Sequence, residues 1–181
     1  MSTRTSITKR LGNFTLSSST VVVTDPGYYE KDVREYGMGE IIDKCAVGEW
    51  QVEVTELHVP GGKFAVPSVL VASFEGISFD SICQDWKRMD DVGGDSGLIV
   101  VSDLAHFHDD RLVPNGQKWT YNGGPSDPKD LWYSLVCETV RDVSTSVIPF
   151  GFVIIGDGAM DIDIVVLENK VVAIRLTTPK A

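Results

Sequence analysis

Hydrophobic and polar residues alternate along two stretches of this chain, and apolar residues run together along two others. Residues 50–58 and 160–164 change between apolar and polar at almost every step, which is typical of a strand with one buried face. Residues 19–25 and 97–103 are apolar runs that each end in a hydroxyl residue and an aspartate. The chain is therefore expected to be mainly β, with strands at 11–16, 19–24, 40–47, 50–58, 68–74, 97–103, 148–155, 159–167 and 170–177.

One segment has the spacing of a helix instead. Apolar side chains recur with the helical period from Leu131 to Val140, and Ser126 is suited to cap the first turn. This pattern predicts one amphipathic helix near 127–142. A second, shorter helix is predicted at 81–89.

Turn-forming residues mark the connections between these elements. Residues 167–170 predict a tight hairpin, because Asn169 tolerates the left-handed backbone conformation. Glycine- and proline-rich loops are predicted at 60–62, 93–94, 114–116 and 122–125.

The two halves of the chain carry similar segments in the same order. The matched segments are 19–25 with 97–103, 48–54 with 158–164, and 69–74 with 171–176. From these matches we interpret residues 11–76 and 93–178 as two copies of one β unit that pack together. Neither copy is expected to fold alone, because a few strands have only one apolar face to bury. The prediction is a single domain over residues 1–181, built as a β-sandwich or a barrel-like fold.

The composition and charge of the chain exclude several classes of protein. The chain has 181 residues, is 43% hydrophobic, and carries 16 Lys and Arg against 26 Asp and Glu, a formal net charge of −10. The apolar fraction excludes a disordered protein, and no apolar run is long enough to span a membrane as a helix. The acidic balance argues against binding a nucleic-acid phosphate backbone.

The cysteines of the chain indicate its compartment. They are odd in number and widely spaced, so we expect the protein to be located in the reducing cytoplasm; they are Cys45, Cys83 and Cys137.

Three short motifs stand near the predicted strands: Thr24-Asp25-Pro26-Gly27-Tyr28, Asp95-Ser96-Gly97 and Gly156-Asp157-Gly158. They resemble the D-P-C-Y, V-D-S-G and late G-D-G-x-Y motifs of a family of small, mostly uncharacterised bacterial and phage proteins. The resemblance extends over about half of the chain. Gly27 stands where the family often has Cys, and Met160 where it usually has Tyr. The resemblance implies a β-rich fold and no particular activity.

An acidic array in the late glycine turn is a candidate cation site. Asp157, Asp161 and Asp163 could present hard oxygen ligands of the kind that calcium prefers. The simpler interpretation is a solvated polar face, because Met160 and Ile162 alternate with these acids along a strand. No cofactor is expected otherwise.

A second cluster could carry catalysis or bind a transition metal. Asp103, His106 and His108 follow the second apolar run, and two imidazoles on one face could join a carboxylate in an open metal site. The simpler interpretation of the histidines is a polar loop. Asp103 and Asp25, which end the two apolar runs, are expected to accept hydrogen bonds from the following backbone amides.

Trp119 and Tyr121 lie in the loop-rich stretch 114–125, where an aromatic pair could line a ligand-binding surface. A packed loop is the simpler interpretation of that pair.

The favoured function is a non-enzymatic, acidic interaction protein that binds a basic protein partner through its loops, because no complete catalytic set is visible. One alternative is a divalent-cation domain that binds calcium. Another is a small hydrolase or lyase that uses Asp103, His106 and His108. Unpaired edge strands would also permit a homodimer.

Overall fold

Two antiparallel β-sheets pack face to face in the computed structural model of this chain, which describes residues 5–58, 66–77, 85–119, 131–141, 143–156 and 158–178. In chain order the strands are β1 (Thr5–Leu16), β2 (Val21–Thr24), β3 (Gly39–Ile42), β4 (Gly48–His58), β5 (Val66–Phe74), β6 (Lys87–Val92), β7 (Leu98–Asp103), β8 (Thr145–Ile148), β9 (Gly151–Ile155), β10 (Met160–Leu167) and β11 (Lys170–Thr177). The helices are α1 (Glu30–Tyr36) and α2 (Leu131–Thr139), and two short 3-10 turns cover Leu104–His106 and Asp110–Leu112.

Sheet A has the strand order β1-β4-β5-β11-β10-β6, and sheet B has the order β3-β2-β7-β9-β8. Every pair of neighbouring strands is antiparallel. Among the described residues the two sheets share no strand and do not close on themselves. The predicted β-sandwich is therefore confirmed, and the barrel-like alternative is wrong.

The main core lies between the two sheets. Alternate side chains of β4 and β10, such as Trp50, Val52 and Ile162, point into it from sheet A. Ile99 and Phe152 meet them from sheet B. The alternation in the sequence follows from this arrangement, because the outer face of sheet A keeps its polar residues in contact with water.

Helix α2 covers the outer face of sheet B. Its Trp132 and Val136 form a second apolar cluster with Val100 and Val153 of the sheet. Strand β7 is therefore buried on both faces, which explains its unbroken apolar run. No helix in the described part of the chain is long and apolar enough to cross a bilayer.

Helix α1 connects β2 to the edge of sheet B. It buries Val33 alone, and it ends at Gly37, which adopts the left-handed conformation with φ 67°. The chain then turns directly into β3. An added Cβ on Gly39 would lie 2.4 Å from the Val23 carbonyl oxygen, so the close approach of β3 to β2 requires a glycine there.

Five of the predicted strands agree closely with observed ones, and the first two overlap β1 and β2. The five are 50–58, 68–74, 97–103, 159–167 and 170–177, which correspond to β4, β5, β7, β10 and β11. The hairpin between β10 and β11 is also confirmed, with Glu168 and Asn169 both at positive φ.

Other predicted elements are wrong in type or extent. Lys87, Arg88 and Met89 belong to strand β6 and not to the helix predicted at 81–89, because β10 pairs with this segment along its length. The strand predicted at 148–155 is two strands separated by a turn at Phe150, and β3 ends at Ile42, well before residue 47. Within the helix predicted near 127–142, α2 covers Leu131–Thr139, and residues 120–130 and 142 lie outside the described part.

The strand orders bring the matched segments of the two halves together. Strand β2 pairs with β7 in sheet B, and β5 pairs with β11 in sheet A. On either side of that second pair lie β4 and β10, and outside these lie β1 and β6.

Candidate functional site

The carboxylate of Asp103 lies fully buried at the end of β7 and accepts five hydrogen bonds. Ser17 donates from its backbone amide at 2.6 Å and from its hydroxyl at 2.8 Å, and Ser18 also donates from both groups. The fifth donor is the backbone amide of Ala105, which confirms the predicted turn. Burial alone would raise the pKa of Asp103, but the hydrogen bonds from Ser18 and Ser17 outweigh it and lower the pKa below its ordinary value.

The carboxylate of Asp25, at the end of β2, has a closely similar environment. It accepts hydrogen bonds from the Gly27 amide at 2.7 Å and from both the amide and the hydroxyl of Ser96, at 2.6 and 2.9 Å. The turn predicted at Asp25 is therefore also confirmed. Both aspartates hold a loop to the start of a neighbouring strand.

Two aromatic side chains stand three residues after these aspartates and occupy similar positions. Tyr28 donates its hydroxyl proton to Asp95, and Nε2 of His106 lies 2.9 Å from the Ser17 hydroxyl. The hydrogen bond to Asp95 is the main cause that raises the pKa of Tyr28 to about 12. Tyr28 thus contacts the residue before the serine that Asp25 binds, whereas His106 contacts Ser17, which Asp103 binds as well.

The contact between Ser17 and His106 bears on the predicted catalytic group of Asp103, His106 and His108. The single hydroxyl proton of Ser17 is donated to Asp103, so Nε2 of His106 must act as the donor to the Ser17 oxygen. The other ring nitrogen, Nδ1, lies 3.6 Å from Asp109. In this arrangement Nε2 of His106 donates a hydrogen bond to the serine oxygen, whereas a general base would accept one from the serine hydroxyl.

The structure does not bring His108 to the same place. Its Nε2 lies 2.9 Å from the carbonyl oxygen of Tyr28, and its ring stacks on Tyr29 at 4.4 Å between centroids. Phe107 and Trp132 contact the ring as well. His108 therefore packs the loop after β7 against helix α2.

The acidic array predicted for calcium is partly described. Asp161 lies 2.6 Å from the guanidinium of Arg88, and Asp163 lies 2.9 Å from that of Arg175. The hydrogen bond from Arg88 lowers the pKa of Asp161. Asp157 lies outside the described residues, and within those residues no group of three His, Cys, Asp or Glu side chains is placed to hold a metal ion.

The aromatic pair predicted to line a loop surface is also partly described. Trp119 is half-buried at the end of a described segment, and Tyr121 lies outside it. The ligand-binding role of this pair stays a prediction.

A cleft between the edges of the two sheets was not predicted from the sequence. We call it the β3–β6 cleft, after its edge strands from sheet B and sheet A. It consists of two adjoining cavities of about 610 and 500 Å³ that share Gly37, Gly39, Asp91 and Gly93. Four carboxylates line it, from Glu40, Asp90, Asp91 and Asp95.

The electrostatics of the β3–β6 cleft favour a cation. Burial raises the pKa of Glu40, and the negative charge of Asp90 raises it further, so these carboxylates oppose each other's ionisation. The cationic residue of the lining, Arg34, already donates to Glu30 at 2.7 Å. A positively charged group placed in the cleft would relieve this repulsion.

Exposed apolar residues lie in the lining of the cleft or close to it in sequence. Met38, in the lining itself, is 43% exposed, and Tyr36, two residues before it, is 64% exposed. Met89, next to Asp90 on β6, is 37% exposed. The carboxylates, together with Met38 and the half-buried Tyr28 ring in the lining, suit the aliphatic stems and charged ends of Lys and Arg.

Sequence reasoning missed this cleft because its acids come from distant segments. Glu40 and Asp90 are on different sheets, and the one local signal is the glycine pair at 93–94, which predicts a loop.

Comparison of the chain with family models, with curated proteins and with solved structures finds no match. The candidate function therefore depends on the geometry of this chain alone.

Proposed function

We propose that this protein is a non-enzymatic binding module that holds a basic segment of a partner protein in the β3–β6 cleft. The observation that carries the proposal is the convergence of Glu40, Asp90, Asp91 and Asp95 on a single cleft between two sheet edges. The net charge of −10 adds a long-range attraction for the same kind of partner.

We also infer that the module is an internal duplication of one β unit. The support comes from the strand orders, which read alike outwards from the β5/β11 pair and, apart from the additional edge strand β8, outwards from the β2/β7 pair. It comes equally from the paired contacts of Asp25 with Ser96 and of Asp103 with Ser18. In this interpretation β3 is the counterpart of β9, and β6 is the counterpart of β1.

The binding proposal is tested with a synthetic peptide of alternating lysine and valine, Ac-KVKVKVK-NH2, carrying a fluorescent label. We expect saturable binding by fluorescence anisotropy at low salt that weakens about tenfold or more in roughly 0.5 M salt, where charges are screened within a few ångströms.

A pair of matched variants locates the binding site. Asp90→Asn with Asp91→Asn neutralises two cleft carboxylates, and Glu75→Gln with Glu168→Gln neutralises two exposed carboxylates near the opposite end of β10. Both variants remove the same amount of charge. The proposal expects the first to weaken binding about tenfold and the second less than twofold, and equal effects would contradict it.

A small hydrolase is the second candidate, supported by one contact. The Ser17 hydroxyl, Nε2 of His106 and the carboxylate of Asp109 follow one another at 2.9 and 3.6 Å, and rotation of the Ser17 hydroxyl proton from Asp103 towards Nε2 would make them a nucleophile, a base and its orienting acid. Turnover of p-nitrophenyl acetate that is lost in both Ser17→Ala and His106→Ala, with the fold retained, would support this candidate. Turnover that survives both substitutions would exclude these residues.

A further inference from the structure

The β3–β6 cleft lies between two strand edges that have no partner among the described residues. Strand β3 pairs with β2 on one side, and β6 pairs with β10 on one side. In the described part of the chain, no strand pairs with the other side of either. Alternate backbone amides and carbonyls along each of these edges are therefore available to another strand.

The opposite corner of the sandwich has the same layout but contains one more strand. There β9 is paired on both sides, with β7 and with β8, so that β8 forms the edge of sheet B. Strand β8 lies against β1, and Val147 lies 3.5 Å from the position that a Cβ on Gly12 would occupy. If β9 corresponds to β3 and β1 to β6, then β8 occupies the place that corresponds to the β3–β6 cleft.

We propose that the partner segment binds as an added β-strand, antiparallel to β3, in the place equivalent to that of β8. This inference rests on the proposed function, since it states how the basic segment of the partner is held. Both β3 and β8 are four residues long, so the paired part of the segment spans about 14 Å. Backbone hydrogen bonds would supply affinity, and the cleft acids would select the side chains.

The charge of the cleft decides which kind of segment occupies it. An added strand would place alternate side chains beside Glu40 and Asp90, where a lysine or arginine is favoured and an acid is repelled. This excludes an acidic segment and commits the proposal to a basic one from another protein. A second copy of this chain, itself strongly acidic, is the competing occupant.

Methylation of the peptide backbone tests the mode of binding. An added strand directs every second backbone amide towards the neighbouring strand. If the peptide shifts its register along β3 by two residues, the same amides still point towards β3. Two versions of Ac-KVKVKVK-NH2 are therefore compared. One is N-methylated at its three valines, and the other is N-methylated at the third, fifth and seventh residues, which are lysines. We expect one version to bind about tenfold or more weakly than the other, as measured by fluorescence anisotropy.

Hydrogen exchange gives an independent measure on the protein side. Saturating unmethylated peptide should slow amide exchange in a proteolytic fragment that spans residues 38–43, because β3 acquires a partner strand. Unchanged exchange in that fragment, or equal effects of the two methylations, would overturn strand addition.

The outcomes separate this inference from the function on which it rests. If the Asp90→Asn and Asp91→Asn variant weakens binding but both methylated peptides bind alike, the cleft binds basic segments and strand addition is wrong. If the unmodified peptide binds equally well to the cleft variant and to the control variant, the proposed function itself fails, and strand addition with it. A dimer in light scattering that the peptide dissociates would identify a second copy as the occupant and overturn the proposal.

Discussion

Asp25 and Asp103 stand at the ends of two neighbouring strands. Each accepts hydrogen bonds from a serine just before the strand that the other one ends. Asp25 ends β2 and accepts hydrogen bonds from Ser96, which comes just before β7. Asp103 ends β7 and accepts hydrogen bonds from Ser18, which comes just before β2. Because β2 and β7 run antiparallel, the end of each strand lies beside the start of the other. The two carboxylates therefore hold β2 and β7 together at both ends of this strand pair.

The first prediction concerns the stability that Asp103 provides. Asp103→Asn replaces one carboxylate oxygen with an NH2 group. That group donates hydrogen bonds and cannot accept them from the N–H and O–H groups of Ser17 and Ser18. We expect the free energy of unfolding in urea to fall by about 2–4 kcal/mol, since buried donors lose their acceptor. Asp43→Asn is the control, an exposed position with a hydrogen bond from Thr20, and should cost less than about 0.5 kcal/mol.

The stabilising effect of Asp103 should depend on pH. Its pKa is lower in the folded protein than in the unfolded chain, where an aspartate has a pKa of about 3.9. The contribution is complete above that value and disappears as the pH falls through the folded pKa. The difference in unfolding free energy between the wild-type protein and Asp103→Asn should thus be constant near neutrality and shrink below about pH 4. A difference that stays constant to about pH 2 would contradict this account.

The second prediction concerns the hydroxyl of Tyr28. Its hydrogen bond to Asp95 stabilises the protonated form and raises the pKa to about 12. Removal of the acceptor charge in Asp95→Asn should lower the pKa towards the ordinary value of about 10, measured by the carbon-13 shift of the Tyr28 ring during titration. Because the folded pKa is raised, this contact stabilises the fold below about pH 10 and is lost at higher pH. A pKa unchanged by the substitution would exclude the Asp95 contact as its cause.

The third prediction concerns the acidic array on β10. Asp161 and Asp163 already bind Arg88 and Arg175, so we expect 1 mM calcium to leave the unfolding midpoint of chelator-treated protein unchanged within about one degree. If a specific site were present and calcium stood at a hundred times its dissociation constant, binding would add about 2.7 kcal/mol to the free energy of unfolding. The unfolding midpoint would then rise by several degrees. A rise of that size that is lost in Asp161→Asn with Asp163→Asn would establish the calcium site predicted from the sequence.

The elements found from the sequence are those whose surroundings impose a pattern. Strands β4 and β10 alternate because one face packs into the core while the other is wet, and β7 is continuously apolar because α2 covers its second face. The hairpin at Glu168 and Asn169 was found because few residues adopt its backbone conformation.

The elements that were missed bury too little to leave a pattern. Five of the six side chains of β6 are exposed and Val92 alone is buried, so pairing with β10 fixes the strand without any alternation in its sequence. Helix α1 buries Val33 alone. The β3–β6 cleft was missed for a related reason, because Glu40 and Asp90 meet only after both sheets have formed.

The contacts of Asp103 show the same limit at the level of a single side chain. The sequence predicted its hydrogen bond to the following loop, which is a local interaction. It did not predict the four hydrogen bonds from Ser17 and Ser18, which depend on the pairing of β2 with β7.

The most direct test of the central claim is a nitrogen–proton correlation spectrum of the labelled protein, recorded as Ac-KVKVKVK-NH2 is added. Glycine amides resonate apart from most others, and the β3–β6 cleft is lined by five glycines, Gly37, Gly39, Gly93, Gly94 and Gly158. The prediction is that these five amides shift progressively to saturation while Gly12, on β1 at the opposite edge of sheet A, stays in place. Shifts spread evenly over the glycines, or none at the cleft when the peptide is saturating, would contradict it.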